Sequence, residues 1–409
     1  MLEQIASWLT PLSPTTAWTA AVFLYGAGIF LFVAVNALVL VYIERKVSAF
    51  MQVRLGPMRV GPVGLLQTVA DALKLVLKED IIPDATDKLL FRIGPFLILF
   101  AAIITYAAIP FSPQILAADM NIGLLYVISI SALVVIGIVM SGWASNNKWS
   151  LYGAMRSAAQ IVSYEIPAGL TLLAVVAVVG SLNLQDIIRA QSGTGGLFHW
   201  IPIPLPNWFV FHDPFLFIAA FVYLIAGTAE VNRTPFDIPE AESELVAGWM
   251  TEYSGIRWAL FFMSEYANMT LVTIITAIAF FGGWQSPFPS GNGARWGLAI
   301  LAGLALIFSI LLNVKTGRIS KYPFLVLATS AVLAFLFPGF AQWLAQPGLF
   351  WLGLKAAFFI FVLMWFRWTF PRLRVDQLMF LNWKVLLPLA FINLMGVALW
   401  LWATGELAI

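Results

Sequence analysis

The stretch IGLLYVISISALVVIGIVMSGW, residues 122–143, decides the fold. It runs its whole length without an acidic or basic residue. A helix needs about 20 mostly apolar residues to cross the hydrocarbon core of a membrane. Nine further segments of the same kind lie to either side: 18–43, 91–110, 158–180, 214–230, 257–283, 296–313, 323–344, 350–366 and 385–403. The sequence therefore predicts an all-α, polytopic transmembrane helix bundle of about ten spans. Composition agrees, with 61% hydrophobic and only 10% charged residues. A soluble domain carries about 25% charged residues, and so few charges cannot cover a water-exposed surface. The chain has no cysteine, which excludes a disulfide framework and a Cys-ligated iron–sulfur cluster within it. The two histidines, His199 and His212, share one loop and offer no haem-ligand pair inside a span. No metal site is expected. Electrons passing near this chain must travel on partners or on a diffusible molecule. A net charge of +2 without a basic run gives no sign of nucleic-acid binding. Met1 to Thr16 carries no basic residue ahead of its apolar positions, so a cleavable leader is not expected.

Basic residues orient the spans. With the N-terminus outside, all of the 22 Lys and Arg residues except Arg189, Arg295 and Lys355 fall on the inner side. The outer loop 181–212 combines Gly193, Gly195 and Gly196 with Pro202, Pro204 and Pro206, and reads as an irregular cover.

The first inner loop, 44–88, contains two turns, at Gly56-Pro57 and Gly61-Pro62. Beyond them Leu66, Val69, Ala70, Leu73, Val76 and Leu77 repeat at helical spacing, with Gln67, Asp71, Lys74 and Lys78 opposite. This helix is too short and too polar to span, and is expected to lie on the membrane surface. It is either a connector or a roof over the entrance for a lipid-soluble substrate.

Carboxylates recur at membrane depth. Glu165 and Glu265 sit inside the spans 158–180 and 257–283, and Pro167 is expected to distort the first of these. Glu44 and Glu230 close two others. A carboxylate facing lipid is costly, so these groups should point into the bundle or into water. They form a proton path, or else Glu44 and Glu230 are end-of-helix charges and Glu165 and Glu265 a structural pair. Between the fifth and sixth spans Asp237, Glu240, Glu242, Glu244 and Glu252 gather in one loop. Asp237 and Glu240 have the spacing of a helix-start capping pair. With Glu230 and Glu265 these acids outnumber the two nearby arginines, a negative vestibule that calls for protons or a basic partner surface.

Several of these stretches together resemble one family. They include Glu44-Arg45-Lys46, Gln52 to Pro57, Val60-Gly61-Pro62, Ala70 to Leu75, Ser141 to Asn146, Ala159 to Glu165, Ala229 to Gly248, Glu252 to Gly255, Ser264 to Asn268 and Pro371 to Met379. In order and spacing they are similar to the H-type membrane subunit (subunit 1) of respiratory complex I, the NADH–quinone oxidoreductase. The resemblance implies a subunit without its own redox centre, with NADH, FMN and iron–sulfur clusters on partner subunits and quinone as substrate. It implies a proton relay of Glu165, Glu230 and Glu265, with Asp237, Glu240, Glu242 and Glu244 nearer the quinone chamber. Arg45, Arg54, Asp71, Phe262, Tyr266 and Arg367 would lie at or near the chamber wall and entrance. The implied partners are quinone-module subunits of the hydrophilic arm, small or antiporter-like membrane subunits, and lipid. The implied location is a bacterial inner membrane, N-terminus outside. The chain departs from the family at Val375, where an aromatic is usual, and at residues 286–349, which add two apolar segments to the usual eight. The expected organisation is a bundle over 1–285, an inserted pair over 286–349 and two final spans over 350–409. The rival readings are the equivalent anchor of a hydrogenase or formate-oxidising complex, a stand-alone proton or cation transporter, and a purely structural anchor.

Overall fold

The computed structural model describes residues 14–198, 201–239, 242–288, 290–316 and 322–405. The chain is an all-α membrane bundle. Among the described residues seven helices are long and apolar enough to cross a membrane, eight if one bent pair counts as a single span. The principal helices are α1 (Pro14–Met51), α2 (Gln67–Leu77), α3 (Lys88–Thr105), α4 (Gly123–Ala144), α5 (Lys148–Val179), α6 (Pro214–Glu230), α7 (Gly255–Phe280), α8 (Gly291–Thr316), α9 (Tyr322–Leu336), α10 (Pro338–Ala345), α11 (Leu349–Thr369), α12 (Val375–Phe380) and α13 (Leu387–Thr404).

α7 is the central post. Nearly all of its residues from Tyr266 to Phe280 are buried, whereas α1 exposes Phe23, Leu31 and Val35 on its outer side. Apolar side chains facing outward suit lipid, which is as apolar as they are. Tyr106 at the end of α3 is buried and donates to the Ala267 carbonyl of α7 at 2.7 Å.

The structure differs from several sequence expectations, each time because a distant residue intervenes. α1 does not end at Glu44 but continues through Arg45 and Lys46 to Met51. These three charges find partners on other elements, so the helix need not stop at them. α5 runs unbroken through Pro167. Proline leaves the carbonyl four residues earlier without its helical donor. That carbonyl, on Ser163, accepts from Asn382 Nδ2 at 2.7 Å. Asn382 lies in a π-turn over Leu381–Leu386, between α12 and α13, where the last span begins. A helical span over Val375–Thr404 thus starts earlier than the apolar segment 385–403 suggests.

The loop 181–212 is ordered rather than irregular. It contains a helix at Leu184–Ala190, an antiparallel hairpin of β1 (Thr194–Leu197) and β2 (Ile201–Pro206), and a turn of helix at Phe209–His212. His199 lies outside the described residues. Buried Gln191 ties this cover to the end of α7. Its amide donates to the Ile278 carbonyl at 2.8 Å and accepts from the Gly282 N–H at 2.8 Å.

The segment 323–344 is not one straight span. α9 bends by 113° into α10 at Phe337. Pro338 starts α10 and forces Phe337 into an extended conformation, which ends α9. The segment 286–349 has a small core of its own, including Phe288, Leu298, Ala334 and Leu344, packed on Trp351 of α11. The side chain of Lys315 and all of Arg318 and Lys321 lie outside what is described.

α2 is held against the bundle by α7. Ser254 Oγ accepts from the Ile81 N–H at 3.2 Å, and Arg257 pairs with Asp80 at 3.0 Å. Gly255 starts α7 with φ of 55°, and a Cβ there would sit 3.1 Å from the Lys78 carbonyl. Gly255→Val is therefore expected to cost about 1–3 kcal/mol through backbone strain, read as a lower Tm of the purified protein. An unchanged Tm would show that this junction tolerates a side chain.

Candidate functional site

The site is assembled around Arg233, in the turn after α6. Its side chain is buried among three helices. Nη1 donates to both oxygens of Glu44, at 3.0 and 3.3 Å. Nε lies 3.2 Å from Glu265 Oε1, and the guanidinium sits 4.7 Å from the centre of the Tyr266 ring. The Tyr266 hydroxyl donates to Glu44 Oε2 at 2.6 Å. Arg367, in the last turn of α11, is the second cation on Glu44. Two carboxylates thus face two guanidinium groups, which offsets the cost of burying any one of them.

Gln160 positions the Arg233 turn. Its amide donates to the Ala229 carbonyl at 2.7 Å, to Asn232 Oδ1 at 3.0 Å and to the Phe236 carbonyl at 2.8 Å. Asn232 takes a positive φ of 51° and donates to Ser157 Oγ at 3.2 Å. The loop is fastened to α5 by this one buried side chain and its neighbours.

A row of carboxylates leads away from the cluster. Glu230 and Glu265 line a cavity of about 30 Å³ with Asn232, Ser264 and Asn268. Glu230 and Glu165 line a second, of about 40 Å³, with Ser131 and Tyr223. A polar cavity of that size holds about one water. Glu230 is common to both, so the order in space is Glu165, Glu230, Glu265, Arg233, Glu44.

A larger cavity of about 300 Å³ opens on the other side of α7, between α1 and α2. Its α2 wall is Thr68, Asp71, Ala72, Leu75 and Val76, one face at helical spacing. The rest of the stripe, Leu66, Val69, Leu73 and Leu77, is instead exposed on the outside of the helix. Arg45 and Asp71 close the polar end with a 2.5 Å ion pair. Burial pushes the Asp71 carboxyl up, but hydrogen bonds from Arg45 and Gln67, with the charge on Arg45, hold it below its ordinary value. Trp258 and Phe262 form the α7 wall. Trp258 stacks on Phe262 at 5.0 Å, and Phe262 meets the edge of Tyr266 at 5.0 Å. One aromatic ladder thus leads from the cavity to Glu44. A mostly apolar space with one charged, hydrogen-bonding end suits an amphiphile with a polar head and a long apolar tail.

The expected chamber residues divide. Arg45, Asp71 and Phe262 line this cavity, while Tyr266 and Arg367 converge on Glu44. Arg54 stands apart, exposed, with Nε donating to Gln52 at 2.6 Å. Two acids of the acidic loop pair with arginines elsewhere in the same chain, one in α5 and one in the loop after α11. Asp237 pairs with Arg372 at 3.0 Å and exposed Glu244 with Arg156 at 2.6 Å. Burial pushes the Asp237 carboxyl up, against the charge and hydrogen bond of Arg372. Glu240 lies outside the described residues, and of Glu242 only the backbone is described, at the start of a short helix, Glu242–Leu245. Sequence reasoning passed over Gln160 and Arg233 as site residues and left Glu44 open as a helix-end charge. For Glu44 a signal existed, since the helix-compatible run Val47 to Met51 follows it. For Arg233 there was none, because its partner Glu44 lies 189 positions away.

Fold and site define a membrane protein that places a chain of buried ions beside an amphiphile-sized cavity. A sequence profile described as NADH dehydrogenase matches residues 25–398. A protein of Chlorobaculum tepidum is 47% identical over 370 residues, 90% of this chain and 89% of its own length. Relatives from Koribacter versatilis and a Geobacillus species are each 43% identical, over 381 and 402 residues. These alignments cover 87% and 98% of this chain, and 86% and 98% of the relatives. All three relatives are named as the H-type subunit of NADH-quinone oxidoreductase. The chain belongs to this family, as its motifs implied.

Arg233→Met leaves Glu44 and Glu265 short of a buried cation, and is expected to cost about 3–5 kcal/mol, seen as a lower yield and Tm of the assembled protein. Adding Glu44→Gln should recover part of the loss. A single variant as stable as the parent would show that Arg233 does not hold the cluster together.

Proposed function

We propose that this chain, as a membrane subunit of NADH–quinone oxidoreductase, forms part of the quinone chamber and passes the effect of quinone reduction to proton pumping. The observation that carries this reading is the pair of water-sized cavities sharing Glu230, which join Glu165 and Glu265 to the charged cluster. Quinone would enter through the cavity between α1, α2 and α7, head toward Arg45 and Asp71, with Trp258 and Phe262 against its ring or tail. That makes α2 the entrance element rather than a connector. NADH, FMN and iron–sulfur clusters belong to partner subunits, and quinone-module subunits of the hydrophilic arm would cover the inner loops. Small or antiporter-like membrane subunits would receive the signal.

Reduction takes two electrons and two protons per quinone. As charge develops near the inner loops, Asp237, Glu240, Glu242 and Glu244 respond first. The ion pairs of Glu44 and Glu265 with Arg233 and Arg367 then redistribute, and a proton moves among Glu265, Glu230 and Glu165. The side chains do this without reacting covalently: they bind, hold and release protons across about one water per gap. The positive-inside rule puts the basic inner loops in the cytoplasm of a bacterial cell, with the protein in the inner membrane and its N-terminus outside. Segment 286–349 is an inserted unit between the bundle, 1–285, and the final spans, 350–409, supported by its separate small core.

Glu165→Gln keeps shape but cannot ionise. NADH oxidation by a water-soluble artificial acceptor should be unchanged in membranes carrying it, while coupled quinone reduction and proton pumping fall at least about tenfold. Full coupled activity would remove Glu165 from the relay. Asp71→Asn, which breaks the pair with Arg45, is expected to raise KM for quinone with little change in kcat, and an unchanged KM would place the head elsewhere. In a strain without this chain and without another NADH dehydrogenase, surviving quinone reduction would favour the hydrogenase- or formate-linked reading instead.

A further inference from the structure

A second cavity of about 300 Å³ lies on the lipid-facing side of the bundle, between α1, α7 and α11. Its walls include Phe32, Ile43, Gly353, Ala357, Phe361 and Met364. Gly353 and Ala357 are exposed, so the space is a groove open to the bilayer. A Cβ built on Gly353 would meet nothing within 4 Å. On α1 the groove runs from Phe32 to Ile43, about 16 Å at 1.5 Å per residue. That is about half of the hydrocarbon thickness of a membrane, one leaflet.

The dimensions select the occupant. A helix of about 10 Å diameter would need about 1,250 Å³ over that length, more than the groove encloses. A slender apolar groove of this length suits a single flexible hydrocarbon chain. The inner end of the groove is charged. Lys46 stands three residues beyond Ile43 on α1, and Arg367 three residues beyond Met364 on α11, each on the groove side of its helix. Arg367 is committed to Glu44. Lys46 Nζ donates to the Pro57 carbonyl at 2.6 Å and touches the Met58 sulfur, and forms no carboxylate pair among the described residues. Exposed Trp365 and Trp368 lie at the same depth, the level of lipid headgroups.

We propose that this groove holds one acyl chain of an anionic phospholipid, with the phosphate at Lys46. The site is separate from the proposed quinone cavity and does not depend on that reading. It also touches the machinery from behind. Asn36 in the groove donates to Thr270 Oγ1 at 2.7 Å, and Thr270 lies one turn from Tyr266, whose carbonyl it binds at 2.9 Å. An occupied groove supports the side of α7 that carries the Glu44 ligand.

The test uses the whole purified complex with phosphatidylglycerol bearing a photoreactive diazirine in its acyl chain. Label is expected on residues 349–364 of α11. Gly353→Phe, which fills the groove without a backbone clash, should abolish that label with the complex still assembled. Gly303→Phe, at an equally open site on α8 outside the groove, should keep it. Lys46→Gln should erase the preference for phosphatidylglycerol over phosphatidylcholine of the same chain. Absence of α11 label in the parent overturns the proposal, as does label that persists in Gly353→Phe. Preferential labelling by a photoreactive isoprenoid quinone, or a partner subunit crosslinking into the groove, would do the same. Should Gly353→Phe not assemble, an unchanged headgroup preference in Lys46→Gln overturns it alone.

Discussion

Charge cannot stand alone inside a membrane, and the interior of this protein is organised by that rule. Arg233 is its centre. One guanidinium holds carboxylates from α1 and α7, and the Tyr266 ring stacks against it. The same two oxygens of Glu44 also accept from Tyr266 and Arg367, which draws α11 into the same knot. Four elements distant in sequence are thereby fixed to one another at the depth where the carboxylate row begins. The rest of the bundle is apolar packing around that post.

The same accounting holds for the backbone groups that prolines set free. Pro167 leaves a carbonyl unpaired in the middle of α5, and Asn382 supplies the donor from a π-turn in another helix. A proline that reads in sequence as a distortion of one helix is thus a point of attachment between two spans. Tyr164, three residues before it, donates to the Leu378 carbonyl at 2.9 Å and doubles the link. Glu165 follows immediately, so the joint that holds α5 against the last span also sets the position of the outermost carboxylate in the row. At Pro338 the corresponding carbonyl, on Ala334, accepts from Arg295 Nε at 3.0 Å, but Phe337 is held extended and the chain turns.

The two 300 Å³ spaces flank α7 on opposite sides of α1, and they differ in what closes them. One is roofed by α2 and ends on a charged pair. The other is open to lipid and has one hydrogen-bonded amide in its wall. Both touch the stretch of α7 that carries Tyr266. A helix packed this densely transmits a displacement rather than absorbing it, which is how the proposed substrate on one side and the proposed lipid on the other would bear on the same ion cluster.

Much of this was legible from the sequence, for a definite reason. Membrane solvent permits few backbone solutions, so apolar runs such as 122–143 specify helices regardless of their neighbours. Glu165 and Glu265 stood out in the sequence because a carboxylate at that depth is costly to leave facing lipid. The ordered motifs from Glu44 to Met379 carried the family. What tertiary structure alone decided is who partners whom. Glu44 meets an arginine 189 positions away, Ser163 an asparagine 219 positions away, and Asp237 and Glu244 meet Arg372 and Arg156 of the same chain. Pairing across such distances leaves no local pattern, because it depends on how whole helices pack and not on the spacing within any one of them.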